Sequence, residues 1–166
     1  MFETTEELES LQRLLDASLA GSTEHLRSII TPGRTLDAER LCAALPGMQT
    51  LSLATVTATG EPRISAVDGH FLHGRWVFGT ARSAAKARHL AARPAASVSH
   101  LRGEELGVFT HGHVDVLNPE GGPDDREWPA IVRHLTEHYG FSPYTLGDIV
   151  YFRLIPRWMT VFHGTE

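Results

Sequence analysis

Leucines recur at Leu8, Leu11, Leu14, Leu15 and Leu19, which is the spacing of one face of an amphipathic helix. Thr4 with Glu7 three residues on has the form of a capping box at the start of that helix, and Gly21 ends it. Ser22 or Thr23 caps a shorter helix through Ile30, broken by Thr31-Pro32-Gly33. Asp37 caps a third helix through Leu45, stopped by Pro46-Gly47.

The period then changes from helical to extended. TLSLATVT, from Thr50 to Thr57, is rich in β-branched residues and short enough for a strand. PRISAV (Pro62 to Val67) is a second extended run, and FLHGRWVFGT reads as a hairpin turning at His73-Gly74. A helix begins near Ser83 and must end before Pro94, after which Ala95 to His100 is extended again. LGVFTHGHVDVL, from Leu106 to Leu117, is one long strand or two halves joined by a bulge at Gly112. A Gly/Pro/Asp loop leads to a helix from Glu127 to Tyr139, ended by Gly140. Two strand-like runs, IVYFRLI and RWMTVFHG, follow on either side of Pro156. Strands in succession, without regularly alternating helices, predict a mainly β fold with helical additions (α+β) closed as an antiparallel barrel. The expected organisation is a helical segment over residues 1–45 packed on the same domain as a barrel over 46–166.

Composition narrows the function. A net charge of −5 argues against a general nucleic-acid binder. A single cysteine, Cys42 in the apolar run LCAAL, excludes an internal disulfide and a cysteine-based zinc site. The acidic start MFETTEELES is not a secretory signal, and no apolar run approaches the roughly 20 residues that span a bilayer. A cytoplasmic protein with no membrane or nucleic-acid partner is the expectation.

Against that acidic background, FGTARSAAKARHL places Arg82 just before a helix start and Lys86 in its first turn. Cations are disfavoured there because unpaired N–H groups already make the end positive. An anion resolves the conflict. With Ser83 as cap, the Thr80 hydroxyl, Arg82, Lys86 and the free N–H groups would converge on a phosphate. The alternative is a solvated surface helix, which Arg88, His89 and Arg93 near its end fit better than Arg82 and Lys86 do.

The order LSLATVT, TGEPRISAV, RWVFGT, ARSAAKARHLAARP and ASVSH resembles the pyridoxamine 5'-phosphate oxidase-like split-barrel flavoproteins from about Leu41 to Phe162. A strand carrying G-x-P-x-x-S, a hairpin and a T-x-x-S-x-x-K strand-to-helix junction carry the resemblance. It implies an FMN-binding split β-barrel, a homodimer, and a flavin in each cleft between subunits. The ring would lie along Arg63, Ile64, Ser65, Ala66 and Val67, and the phosphate would meet Thr80, Arg82, Ser83 and Lys86. Trp158 is a further candidate for flanking the ring. The implied activity is hydride transfer with a small-molecule substrate, on which no side-chain acid or base is assignable. An F420-dependent reductase is the alternative, needing a wider basic groove to which Arg88 and Arg102 would contribute. A non-catalytic flavin- or heme-binding protein is another. The tail RLIPRWMTVFHG lacks the Arg-x-His pair of the vitamin B6 oxidases proper, which argues against pyridoxamine phosphate as substrate.

Histidines offer competing sites. HLTEH, His134 to His138, satisfies H-x-x-E-H, in which two histidines one helical turn apart bind zinc. The strand-like tail supplies no convincing third ligand, so the reading is two solvated histidines on a polar helix face. His111 and His113 alternate on one strand, again without a third ligand, and His70 and His73 read as hairpin residues. No metal is expected.

Overall fold

The computed structural model describes residues 2–164. Helix α1 (Thr5–Ala20) starts in the capping box expected of Thr4 and Glu7. Helix α2 (Glu24–Ile29) is capped by Thr23, and α3 (Ala38–Ala44) by Asp37. Strands β1 (Met48–Val56), β2 (Pro62–Leu72) and β3 (Arg75–Ala81) follow, then helix α4 (Ala85–Ala92). Strands β4 (Ala95–Arg102) and β5 (Leu106–Val116), helix α5 (Trp128–Tyr139) and strand β6 (Ile149–His163) complete the chain. The six strands close into an antiparallel barrel in the order β1-β2-β3-β6-β5-β4. The β2–β3 turn has His73 at φ 53° and Gly74 at φ 69°, both positive, as a tight hairpin of this hand requires.

Two strands outrun their neighbours, and these gaps determine where the molecule opens. β2 pairs with β1 from Met48↔His70 to Val56↔Pro62, but with β3 only from Gly69↔Phe78 to Leu72↔Arg75. β3 instead continues along β6 as far as Ala81↔Ile149. Pro62 to Asp68 therefore have a strand partner on one side only. The far half of β6 likewise pairs only with β5. Helix α1 covers that second gap: Met159 N–H donates to Ser18 Oγ at 2.9 Å, and Leu11 and Leu15 enter the barrel core. Helix α4 runs from the end of β3 to the end of β1. Leu90 plugs the core, His89 Nδ1 lies 3.0 Å from Thr55 Oγ1, and Arg93 Nε donates to the Val56 carbonyl at 2.9 Å.

Two local expectations need correction. The runs on either side of Pro156 are one continuous strand, β6. Its register against β5 passes from His111↔Trp158 to Gly112↔Pro156, so Arg157 is the extra residue of a bulge. Proline is tolerated at a bulge, where the ladder is already interrupted. The second correction concerns α4, whose cap is Ala84 and not Ser83, with no side chain accepting from the first turn.

Helix α5 lies on the outside of the barrel. Trp128, Ile131 and Leu135 pack with Leu72, Val77, Leu117 and Tyr151 in a second apolar cluster. Its start is tied down by Arg153 of β6, 8% exposed, which donates to Asp125 Oδ2 at 2.9 Å and Glu127 Oε2 at 2.8 Å. A buried guanidinium needs such partners.

Candidate cofactor cleft and adjoining pocket

The gap between β2 and β3 is a cleft with one wall of main chain. Along Pro62–Asp68 the backbone groups that do not face β1 have no strand partner. Ile64 stands out from this edge at 77% exposure, Ala66 is exposed and Ser65 half-buried. Val67 is buried in the core, which leaves its backbone alone available to a ligand. Arg63 is exposed and paired with Glu61 at 2.9 Å, and its Nη1 donates to its neighbour's carbonyl on Pro62.

The other wall is the junction from β3 to α4. Thr80, opposite Val150 of β6, is half-buried. Arg82 is fixed: Nε donates to Asp148 Oδ1 at 2.9 Å, Nη2 donates to the Asn118 carbonyl at 3.2 Å, and its N–H donates to the Asp148 carbonyl. Its charge is thus partly answered within the chain. Ser83 is exposed, and its carbonyl accepts from Arg88. Lys86 is half-buried and forms no ion pair among the described residues. The first turn of α4 has neither an acidic residue nor a capping side chain. An uncapped helix start beside an unpaired lysine is a locally positive, donor-rich surface.

Trp158 lies elsewhere. It is on the far half of β6, stacked on His111 with centroids 4.7 Å apart and planes at 16°. Eight residues of strand, on the order of 27 Å, separate it from Val150, the partner of Thr80. The structure does not bring it to the other nine residues within one chain.

Beside the cleft is a pocket of about 270 Å³ that sequence reasoning missed. Asp68 and His70 of β2, Gly79 and Thr80 of β3, Tyr139 of α5 and Tyr151 of β6 are among its lining residues. They come from four elements, of which α5 and β6 lie far along the chain from the β2–β3 hairpin, so no local motif announces them. His70, read as a hairpin residue, is 2% exposed. Its Nδ1 is 3.1 Å from His134 Nε2 and its Nε2 is 3.0 Å from the Tyr139 hydroxyl. His134 is therefore packed on the barrel and not merely solvated, and the His138 ring lies 5.0 Å from that of His70. Burial, and then the neighbouring His134 and His138, lower the pKa of His70 to about 4. Among the described residues no three His, Cys, Asp or Glu side chains are placed to hold a metal ion. Burial, with Glu3 adding to it, raises the Cys42 thiol to about 12, an unreactive setting.

The family model for pyridoxamine 5'-phosphate oxidase matches residues 38–163, most of the chain. The chain belongs to this family. Among solved structures, the heme storage protein HutZ from Vibrio cholerae is 22% identical, with a TM-score of 0.57 over 69% of this chain and 86% of that one. A protein described as an F420 reductase is 22% identical, with a TM-score of 0.54 over 70% and 93%. A putative pyridoxamine 5'-phosphate oxidase from Listeria innocua is 12% identical, with a TM-score of 0.57 over 74% and 95%. These likenesses show that the split barrel of the family is shared by proteins named for different ligands. No curated protein matches the sequence. No helix is long and apolar enough to cross a membrane.

Proposed function

We propose that the protein is an FMN-dependent oxidoreductase acting on a small molecule, with the flavin in the β2–β3 cleft. The observation that carries this reading is the half-buried Lys86, without an ion pair among the described residues, at an uncapped helix start that follows β3, the strand that parts from the β2 edge with its backbone groups left without a strand partner. In this reading Lys86, the Thr80 and Ser83 hydroxyls and the first N–H groups of α4 hold the phosphate. Arg82 braces the junction through Asp148. The backbone from Arg63 to Val67 offers donors and acceptors to the pyrimidine edge of the ring. When bound, the flavin supplies hydride chemistry at its N5, and the chain supplies orientation and a partly dry wall.

A homodimer completes the cleft in this proposal. One outer face of the barrel, built from β1, β2, β4 and β5, carries Ser52, Ala66, Ser99, Ile64, Leu101 and Phe109 without a charged side chain between them. Leu101 is 61% exposed and Phe109 37%. A neutral face of this kind, bordering the Ile64 edge, suits a second copy that would wall the ring and bring its own Trp158 to bear. A single half-buried thiol suits a cytoplasmic setting.

The F420 alternative asks for a wide basic groove. Arg88 is turned onto the Ser83 carbonyl and Arg102 onto the Ala44 carbonyl at 2.7 Å, which favours the shorter FMN. The test is to denature the protein as isolated and identify the released small molecule by mass spectrometry. FMN is the expected result. F420 or heme in stoichiometric amount would replace this reading with one of its rivals.

A further inference from the structure

The pocket beside the cleft has polar groups disposed for a ligand of its own. Val77 to Thr80 and Tyr151 form its floor, and Leu135 and Tyr139 of α5 overhang it. Phe141 and Leu146, on the connection from α5 to β6, stand at its rim 43% and 51% exposed. Its volume of about 270 Å³ is just below the roughly 300–1,000 Å³ of drug-sized sites, which suits one or two rings.

Gly79 makes this floor possible. A Cβ there would lie 2.6 Å from Tyr151 Cε1, so only glycine lets the Tyr151 ring lie across β3. The Tyr151 N–H donates to Asn118 Oδ1, whereas its hydroxyl has no partner among the described residues. Burial raises that hydroxyl to about 12, so it keeps a proton that it can donate. Tyr139 is coupled to the neutral His70. With the His70 proton on Nε2, the ring donates to Tyr139 and frees the tyrosine proton for the pocket. With the proton on Nδ1, Tyr139 donates to His70 and offers lone pairs instead. Tyr139 thus adapts to either partner, and the Tyr151 hydroxyl has a proton to give to an acceptor. The Asp68 carboxylate lining the pocket disfavours an anion.

We propose that this pocket binds a neutral one- or two-ring carbonyl compound, whose oxygen accepts a hydrogen bond from the Tyr151 hydroxyl and a second from Tyr139. Its role as a substrate pocket rests on the flavin reading, because Thr80 lines both cleft and pocket; the binding site itself does not.

The test uses 1-tetralone as probe and tetralin, which lacks the oxygen, as control, with amide chemical shifts followed in the full chain. Tetralone is expected to shift the Gly79, Thr80 and Phe141 amides and to bind about tenfold more tightly than tetralin. Tyr151→Phe should bring the two probes within about twofold of each other without weakening tetralin. Tyr139→Phe, a second and milder variant, should cost tetralone about threefold. Absence of shifts at those amides, equal binding of the two probes to the wild-type chain, or displacement of tetralone by FMN would overturn the proposal. Tetralone binding that persists in a protein unable to bind FMN supports the pocket and removes the flavin reading alone.

Discussion

Replacing Gly112 with alanine is expected to cost about 3 kcal/mol or more, or to prevent folding altogether. A Cβ at that position would lie 2.0 Å from the Ile155 carbonyl oxygen, 2.9 Å from its carbon and 3.2 Å from Pro156 Cα. All three are backbone atoms, so no rotamer change relieves the clash. The only relief is to part β5 from β6 at the bulge, where Arg157 is already extra and Pro156 has no N–H to re-form the ladder. That bulge lets one strand serve both β3 and the far end of β5, so its loss unseats the frame of the cleft. Gly33→Ala is the control: nothing lies within 4 Å of its Cβ, and a change within about 0.5 kcal/mol is expected. Chemical denaturation midpoints of the two variants measure the contrast. Equal midpoints would refute the description of the bulge.

Acid is expected to produce the second large effect. His70 titrates near 4 in the folded chain because burial, then His134 and His138, oppose its charge, against an ordinary value of 6.5. Between these values the unfolded chain binds a proton that the folded chain refuses, so stability falls as pH is lowered from about 6.5 to about 4. Two and a half pKa units correspond to about 3 kcal/mol. His134, lowered mainly by its own burial, contributes in the same direction. Asp68 and Tyr139 also face the cluster. Glu7 and Asp125, whose pKa values are depressed, add acid sensitivity from their ordinary values of 4.5 and 3.8 downward, beneath most of this window. Thermal unfolding between pH 7 and pH 4 should show this slope in the wild type, and His70→Phe should remove most of it. An unchanged slope in the variant would show that His70 is not its source.

The local features were legible because their causes are local. Leucine spacing and the Thr4–Glu7 box mark α1, and His73-Gly74 marks a turn that needs two positive φ angles. The bulge was foreseeable from Gly112, although its extra residue sits in β6. Pro156 was misread as a break because its tolerance depends on the neighbouring strand, which one segment cannot reveal. Ser83 has the chemistry of a cap, yet the helix starts one residue later and its hydroxyl does not cap it. The anion junction could be read from the charge conflict around Arg82 and Lys86, but the pairing of Arg82 with Asp148 spans 66 residues. The His70–His134 contact spans 64 and was hidden for the same reason. Trp158, chosen for its chemistry alone, proved to lie on another part of the barrel within one chain.

If the mouth of α4 grips a phosphate, affinity for FMN compared with riboflavin isolates that group. Titration should show FMN bound at least about tenfold more tightly than riboflavin, since charge-assisted hydrogen bonds contribute roughly 1.5–3 kcal/mol. Lys86→Ala should weaken FMN about tenfold while leaving riboflavin within about twofold. Equal affinity for the two flavins in the wild type, or FMN binding untouched by Lys86→Ala, would show that the mouth of α4 holds no phosphate.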